Sequence, residues 1–435
     1  MGIKLIPLGG FGEVGRNCLA VDVDGKIILL DMGFHLERYL EATEDDFAAK
    51  RHVKRRLISS GALPDVRLLR RRRDDVVGIV CSHAHLDHIG AIPFLASHFS
   101  CPVHATPYTS QVIRSLVEDR GAKAKVIAHD PSATFTVGGL RVEFIPVSHS
   151  TPQTVAVVIH TGEGAVIYAN DYKEDTDPPF GLPTDISRLK ELKGSVRALV
   201  LDSLYAPSQD FSEGERVARE DVLSLKDEVA GSRAIVVSTF SSHIYRLQTL
   251  CDLADSLGRA VVFMGRSLDR YMTAASETGI LDLASRGKVL KYRRQIDSFL
   301  RGVEDPSEYF FITTGHQGEP EAVLRRMADG LFDFHSSDSV IFSCNVIPVP
   351  TSIQNRRILE SLLKKQGVHI ISDVHVSGHA FANDHDHLLS ILCPDYLIPS
   401  HAEPPMIEAM RVIASKKGIT GHRFRDLVVG DELEL

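Results

Sequence analysis

Over the first 205 positions apolar residues either alternate with polar ones or run in short blocks, and both patterns predict strands. Ile3–Leu8 is one such block, and it ends in glycines. Asn17–Val23 and Lys26–Leu30 flank Asp24-Gly25, a pair suited to a tight hairpin turn. Thr134–Val137 and Leu140–Ile145 flank Gly138-Gly139 in the same way. Val76–Cys81, Val155–His160, Ala165–Ala169 and Ala198–Leu201 read as further strands. Residues 42–58 carry a charged helical pattern, and Ile89–His98 a helix that follows a loop. From about 206 the texture changes. Helical stretches at 213–230, 242–257 and 267–278 alternate with apolar blocks at 233–238 and 259–264, which predicts a parallel α/β unit. A helix over 352–366 then leads to a strand, Val368–Ser372. The chain therefore reads as α/β, with 206–350 inserted between a first part, 1–205, and a return segment, 351–435.

A length of 435 residues exceeds one ordinary core and fits this division. Hydrophobic residues at 43% and charged residues at 24% suit a soluble globular protein. No apolar run approaches the ~20 residues that span a bilayer. The N-terminus lacks the long apolar stretch of a signal peptide. None of the six cysteines forms a C-x-x-C pair, which argues against a zinc finger or a thioredoxin-like site. They read as reduced thiols of a cytoplasmic protein. The net charge of −8 alone argues against nucleic acid, but its distribution does not. Lys50–Arg73 holds ten Lys/Arg against the single acid Asp65. That stretch is either a solvated face or a local phosphate-attracting patch.

The densest chemistry is Ser82-His83-Ala84-His85-Leu86-Asp87-His88, three imidazoles and a carboxylate directly after an apolar strand. These donor types suit zinc or manganese. In extended backbone His83 and His85 face one side and can share a metal. Asp87 and His88, at the turn into a helix, can reach a second. Other patterns carry less. Gly10-Phe11-Gly12-Glu13-Val14-Gly15 fits G-x-G-x-x-G, yet β-like sequence follows where a dinucleotide site needs a helix. Asp384-His385-Asp386-His387 opens a predicted helix, where acids cap. His104, His129, His160, His335 and His375 read as packing or surface residues. There is no P-loop and no G-x-S-x-G elbow. Ser241, Ser242 and His243 open a helix after a strand, a place for an anion or a plain N-cap. Arg246, one turn on, either pairs with phosphate or lies on the surface. Ser377 and Gly378 could form a second anion nest beside His379.

The run His83-x-His85-x-Asp87-His88 resembles the H-x-H-x-D-H signature of the metallo-β-lactamase fold. Asp31, His149 and Asp171 match that fold's early aspartate, lone later histidine and metal-bridging aspartate. Asp202, His379 and His401 match motifs of its β-CASP branch. Within that branch the chain is similar to the ribonuclease J family. Gly9–Asn17, Ser238–Ser242, Thr314–Pro320 and the run Val376-Ser377-Gly378-His379 carry the likeness, which extends over essentially the whole chain. It stops soon after His401, as in the shorter archaeal form. Two departures stand out. His401-Ala402-Glu403 replaces H-G-E, and His316-Gln317-Gly318-Glu319 replaces S-Q-G-E, so that His316 could add a phosphate contact.

The resemblance implies an αββα metallo-β-lactamase sandwich with an inserted β-CASP α/β domain. It implies two divalent ions, zinc first, with manganese or magnesium as alternatives. One would be held by His83, His85 and His149 and the other by Asp87, His88 and His401, with Asp171 bridging. Asp87 would also orient the attacking water. His379 would donate a proton to the leaving oxygen or stabilise a phosphate oxygen, oriented by Asp202. The substrate implied is single-stranded RNA with a 5′ monophosphate, degraded 5′→3′ to nucleoside 5′-monophosphates, with endonuclease action a further option. A homodimer is expected. The competing readings are a small-molecule hydrolase of the same fold, such as a thioesterase or lactonase, and a catalytically dead RNA-binding subunit. The inserted unit, His379 and the basic stretch argue against the first, and the complete ligand set against the second.

Overall fold

The computed structural model describes residues 2–44, 53–347 and 350–435. They form two units, one made of the residues up to Ser212 together with Ser377–Leu435, the other of Glu213–Val376.

In the first unit the predicted hairpins close on left-handed turns. Asp24 and Gly25 take φ of 51° and 86° and turn Cys18–Val23 back onto Lys26–Leu30. Gly138 and Gly139 do the same between Thr134–Val137 and Leu140–Pro146. Two sheets result. The first has seven strands in the order Leu433–Glu434, Ile3–Gly9, Cys18–Val23, Lys26–Leu30, Val76–Val80, Val103–Ala105, Val126–Ala128. The second has six, in the order Tyr396–Ser400, Val196–Asp202, Gly164–Ala169, Val155–Thr161, Leu140–Pro146, Thr134–Val137. Leu5, Leu19, Val21 and Ile28 of the first sheet share a core with Val142, Phe144, Val157 and Val200 of the second. The second sheet's other face buries Ile167, Leu199 and Leu201 against Leu388, Leu392, Met410 and Ile413 of helices Ala382–Leu392 and Pro404–Lys416. Helix Pro107–Asp119 lies on strands of the first sheet. This is the αββα sandwich.

The arrangement brings chemistry to one edge. Gly164–Ala169, Val196–Asp202 and Tyr396–Ser400 are parallel neighbours, with Ala169 opposite Leu201 and Asp202 opposite Ser400. Asp171, Asp202 and His401 therefore leave adjacent strand ends together.

The second unit is a parallel sheet of six strands, ordered Gly287–Leu290, Ala260–Met264, Tyr309–Thr313, Ile235–Ser238, Ser339–Phe342, His369–Ile371. Its limits differ from the expected 206–350. The strand His369–Ile371 pairs with Ser339–Ile341, and helix Pro350–Lys365 buries Leu359 and Leu363 in the same core as Phe311 and Val340. Residues 351–376 thus belong to the insertion and not to the return segment.

Two helix expectations also change. Ile89–His98 is broken into Leu86–Ile89, Ile92–Leu95 and a 3₁₀ turn, Ala96–His98. Pro93 has no N–H to give to the carbonyl of Ile89, so a continuous helix cannot form. Of 42–58, residues 42–44 end the helix Leu36–Glu44 and 53–58 lie in the helix Val53–Ser59, and Lys50 and Arg51 lie outside the described residues. The basic stretch is partly neutralised, because Arg67 meets Asp65 at 2.7 Å and Arg72 meets Asp22 at 2.5 Å and Asp75 at 2.9 Å. Among the described residues no helix is long and apolar enough to cross a membrane. All six cysteines are free.

Candidate metal centre

The extended backbone after Val76–Val80 aims His83 and His85 the same way, with His83 Nε2 and His85 Nδ1 3.0 Å apart. His149, from the loop after Leu140–Pro146, brings its Nε2 to 3.0 Å from the same His85 atom. Asp171 Oδ2 stands 3.5 Å from His83 Nε2 and 3.4 Å from His149 Nε2. The other oxygen, Oδ1, lies 3.2 Å from His88 Nε2. His88 and His401 in turn face Asp87 Oδ2, at 3.6 and 3.8 Å. Two donor sets are thus assembled, His83, His85, His149 with Asp171, and Asp87, His88 with His401, the ligand atoms of each lying within 4.8 Å of one another. Asp171 presents one oxygen to each.

Proton placement tests whether a cation fits. Asp31 accepts from His88 Nδ1 at 2.7 Å, and Gly378 O accepts from His149 Nδ1 at 2.6 Å. Ser82 Oγ donates to Asp31 Oδ2 at 2.8 Å, which leaves it to accept from His83 Nδ1 at 3.0 Å. Each ring spends its Nδ1 proton outward, so three Nε2 lone pairs point inward at a carboxylate. Acceptors facing acceptors in a buried site repel unless a cation lies among them. Asp171 Oδ1 is buried without a hydrogen-bond partner among the described residues. Burial pushes the pKa of His83 and His149 well down and that of His85 to about 4, which keeps these imidazoles neutral. Burial also lowers His88, but Asp171, Asp87 and Asp31 more than offset it and drive its pKa well up. That pull toward a second proton measures negative charge that a divalent ion would neutralise. The donor set fits two such ions.

The surrounding backbone is committed to this geometry. Asp31 and His401 hold left-handed φ of 58° and 53°, uncommon outside glycine and typical of constrained sites. A Cβ on Gly33 would lie 1.6 Å from Asp87 O, so only glycine lets these segments meet. Asn17, not foreseen as a site residue, brings Nδ2 to 2.9 Å from His88 Nε2 and 2.8 Å from His401 Nδ1. It closes the glycine-rich run that first resembled a dinucleotide loop. That run, which continues into the strand Cys18–Val23, accepts His401 N–H at Gly10 O, 2.7 Å away.

Beside the cluster, His379 gives Nδ1 to Asp202 Oδ2 at 2.8 Å, and its Nε2 lies 3.8 Å from Asp171 Oδ2. Burial lowers its pKa, but Asp202 and Asp171 more than offset this and raise it to about 9. The Ser377–His379 loop is tied down on three sides. Lys173 Nζ donates to Ser377 O at 3.2 Å, Ser377 Oγ accepts from His379 N–H at 3.0 Å, and Gly378 O holds His149.

Comparison with known proteins agrees with this geometry. Residues 11–231 match the family described as metallo-beta-lactamase superfamily. Residues 232–361 match the ribonuclease J beta-CASP domain, and 368–422 the Zn-dependent metallo-hydrolase RNA specificity domain. The chain is 38% identical over 431 residues to ribonuclease J of Pyrococcus abyssi, covering 96% of this chain and 93% of that one. The chain belongs to the ribonuclease J family. It is accordingly a metal-dependent, RNA-hydrolysing enzyme. It is also 35% identical to ribonuclease J of Methanocaldococcus jannaschii, over 96% of this chain and 95% of that one. A crystal structure of a protein of unknown function from Enterococcus faecalis V583 shares the fold at a TM-score of 0.67 and 16% identity, each chain covered completely.

Against the other ribonuclease J motifs, Ala402 is fully buried, bridged to Phe11. His316 packs edge-on against Phe240, 4.3 Å between ring centroids, and burial followed by Arg356 takes its pKa to about 3. A lowered pKa disfavours the charged imidazole that would attract a phosphate. Ser241, Ser242 and His243 lie in the second unit at the start of Ile244–Ser256. Ser241 Oγ shares a hydrogen bond with Ser267 Oγ at 2.9 Å, and His243 is buried with Nε2 3.3 Å from Glu215. Arg246 is neither on the surface nor open to phosphate. It is fully buried and bound to both oxygens of Glu215, at 2.9 and 3.0 Å. Asp384 caps its helix by accepting from Phe381 N–H at 2.8 Å, and His385 bonds Tyr172 Oη at 2.9 Å, so that run is structural.

Proposed function

We propose that the chain degrades single-stranded RNA from a 5′ monophosphate in the 5′→3′ direction, releasing nucleoside 5′-monophosphates, with two divalent ions in the donor sets centred on Asp171. Zinc suits imidazole and carboxylate donors best, with manganese or magnesium next. Once bound, such a pair lowers the pKa of a shared water and offsets charge on the attacked phosphoryl group. The observation that carries the reading is His379, held by Asp202 within 3.8 Å of the carboxylate that joins both donor sets.

In this reading His83 and His149, which are buried, and His85, which is half-buried, stay neutral and available as ligands. Asp31, Ser82 and Gly378 fix their tautomers or that of His88. Asp87, partly exposed beside the cluster, accepts from the attacking water and orients it. His379, whose pKa Asp202 raises, donates from Nε2 to the departing 3′ oxygen, and Asp202 stabilises the charge it carries beforehand. Ser377 and Gly378 position that loop, and Ser241 and Ser242 are assigned to the terminal phosphate on the helix end they open. A homodimer and a cytoplasmic setting complete the reading, the latter supported by six free cysteines.

The test is digestion of end-labelled RNA carrying a 5′ hydroxyl, monophosphate or triphosphate in Zn²⁺ or Mn²⁺. Mononucleotides released fastest from the monophosphate are expected. Internal fragments independent of the 5′ group would overturn the exonuclease assignment. Inert RNA beside a cleaved thioester or lactone would overturn the substrate class.

A further inference from the structure

Helices Arg293–Arg301 and Pro350–Lys365 of the second unit lie on the same face of its sheet, since Ile296, Leu300, Leu359 and Leu363 enter one core with Phe311 and Val340. Their outward faces are cationic. Arg293, Arg294 and Arg301, with Asp297, line a cleft of about 710 Å³. Arg357, Lys364 and Lys365, with Glu360, line another of about 410 Å³. Arg293 is engaged by Glu321 at 2.6 Å and Lys364 by Glu360 at 3.5 Å. Arg294, Arg301, Arg357 and Lys365 are exposed and meet no carboxylate at ion-pair distance among the described residues. Within each helix the two are seven or eight residues apart, two turns along one side and about 10–12 Å at the helical rise. Tyr292, 52% exposed, presents a ring at the start of the first helix, with Lys291 Nζ 5.7 Å from its centre.

These four cations are exposed and, among the described residues, meet no carboxylate at ion-pair distance, so they are open to a polyanion. They are strung along two helices, not converged on a point, which suits a chain of phosphates better than one small anion. An exposed ring among them suits a stacked base. We propose that this face of the inserted unit, which holds none of the candidate metal ligands, is a second RNA site that grips the backbone of the substrate's single-stranded body. The proposal rests on the reading of the chain as an RNA hydrolase.

The test uses the full chain with Arg294→Ala, Arg301→Ala, Arg357→Ala and Lys365→Ala combined. These are surface positions whose loss leaves the core intact. A single-stranded 5′-monophosphate RNA of about 30 nucleotides should bind roughly tenfold more weakly, with a salt dependence shallower by about three, the loss of four phosphate contacts. Turnover of a 5′-monophosphate tetranucleotide should be unchanged. Unchanged affinity for the long RNA, or an equal loss on both substrates, would overturn the proposal. So would an altered sedimentation coefficient with unaltered RNA binding, which would assign the face to a second copy of the chain. Failure of the wild type to bind or cleave either RNA would overturn the functional reading itself and this inference with it. Wild-type cleavage of the tetranucleotide, beside indifference of the four-fold variant to RNA length, would remove this inference alone.

Discussion

Each unit buries a carboxylate among basic side chains, and the two cases have opposite meanings. In the second unit Glu215 receives both nitrogens of the Arg246 fork and faces His243, and Arg246 also donates to Ser343 Oγ at 2.7 Å and Val374 O at 3.1 Å. Burial raises the Glu215 pKa, but His243 and Arg246 more than offset this and hold it well below the usual carboxylate range. Charge is matched by charge within the protein. In the first unit Asp171 is surrounded by imidazoles whose protons are used elsewhere, and three of its histidine neighbours are kept neutral by burial. Two of those neighbours, His83 and His149, turn lone pairs toward it, and the raised pKa of His88 and His379 marks negative charge left over. A buried carboxylate answered by a guanidinium locks a fold, whereas one answered by acceptors calls for a cation. Burial and residue type do not separate the two. Proton placement does.

The comparison breaks most visibly at a ligand. His85→Ala should lose metal and lower RNA turnover roughly 10³-fold or more, the several kcal/mol a metal contributes. Elemental analysis with single-turnover kinetics checks this. Full metal content with full activity would mean that the inward lone pairs are not ligands. The matched pair should fail differently. Glu215→Gln leaves the Arg246 guanidinium buried without its counter-charge, which should destabilise by about 3–5 kcal/mol. Metal content per folded molecule should be unaffected. Urea unfolding measures the first and elemental analysis the second. A loss of metal would show that Glu215 belongs to the site after all. His379 sharpens the contrast within the first unit. His379→Ala should keep both ions and cut cleavage roughly 10²-fold, the lower range for a lost general acid. Cleavage at the normal rate would end its role as proton donor.

What the sequence made legible follows the same division. His83, His85, Asp87 and His88 sit in one short run, so residue type and spacing alone disclose them. His149, Asp171 and His401 are solitary, and only the likeness to a family marked them. Asn17 was missed because an amide has neither a ligand's nor a titrating group's signature, and its contacts lie 71 and 384 positions away. Arg246 reads as a phosphate contact or a surface residue because its partner Glu215 is 31 positions earlier on another helix. The hairpins were legible because a left-handed turn demands particular residues. The limit of the inserted unit was not, because a helix followed by a strand reads alike whichever sheet it joins, and only the pairing of Ser339–Ile341 with His369–Ile371 decides it.

The smallest effect, and the most discriminating, concerns Asp202. As a proton donor His379 must be charged, so cleavage should fall as pH rises through its pKa, which Asp202 raises above the ordinary histidine value. Of the two carboxylates that raise this value, Asp171 is shared with the candidate ligands, while Asp202 hydrogen-bonds His379 directly at 2.8 Å. Asp202→Asn keeps an acceptor oxygen but removes the charge, and the loss of an opposite charge at this range should lower the pKa by about one unit or more. The alkaline fall in kcat/KM should move down by the same amount, with near-normal rates at pH 6. Stability has the same sign. A histidine whose folded pKa is raised contributes stability that is complete below its ordinary 6.5 and is lost as pH rises through about 9. Wild type should therefore lose resistance to urea across that interval, and Asp202→Asn should lose less. If the variant is instead slower by one factor at every pH, Asp202 acts by aiming the ring. If neither profile nor stability moves, the carboxylate is a bystander and His379 gains its proton from another source.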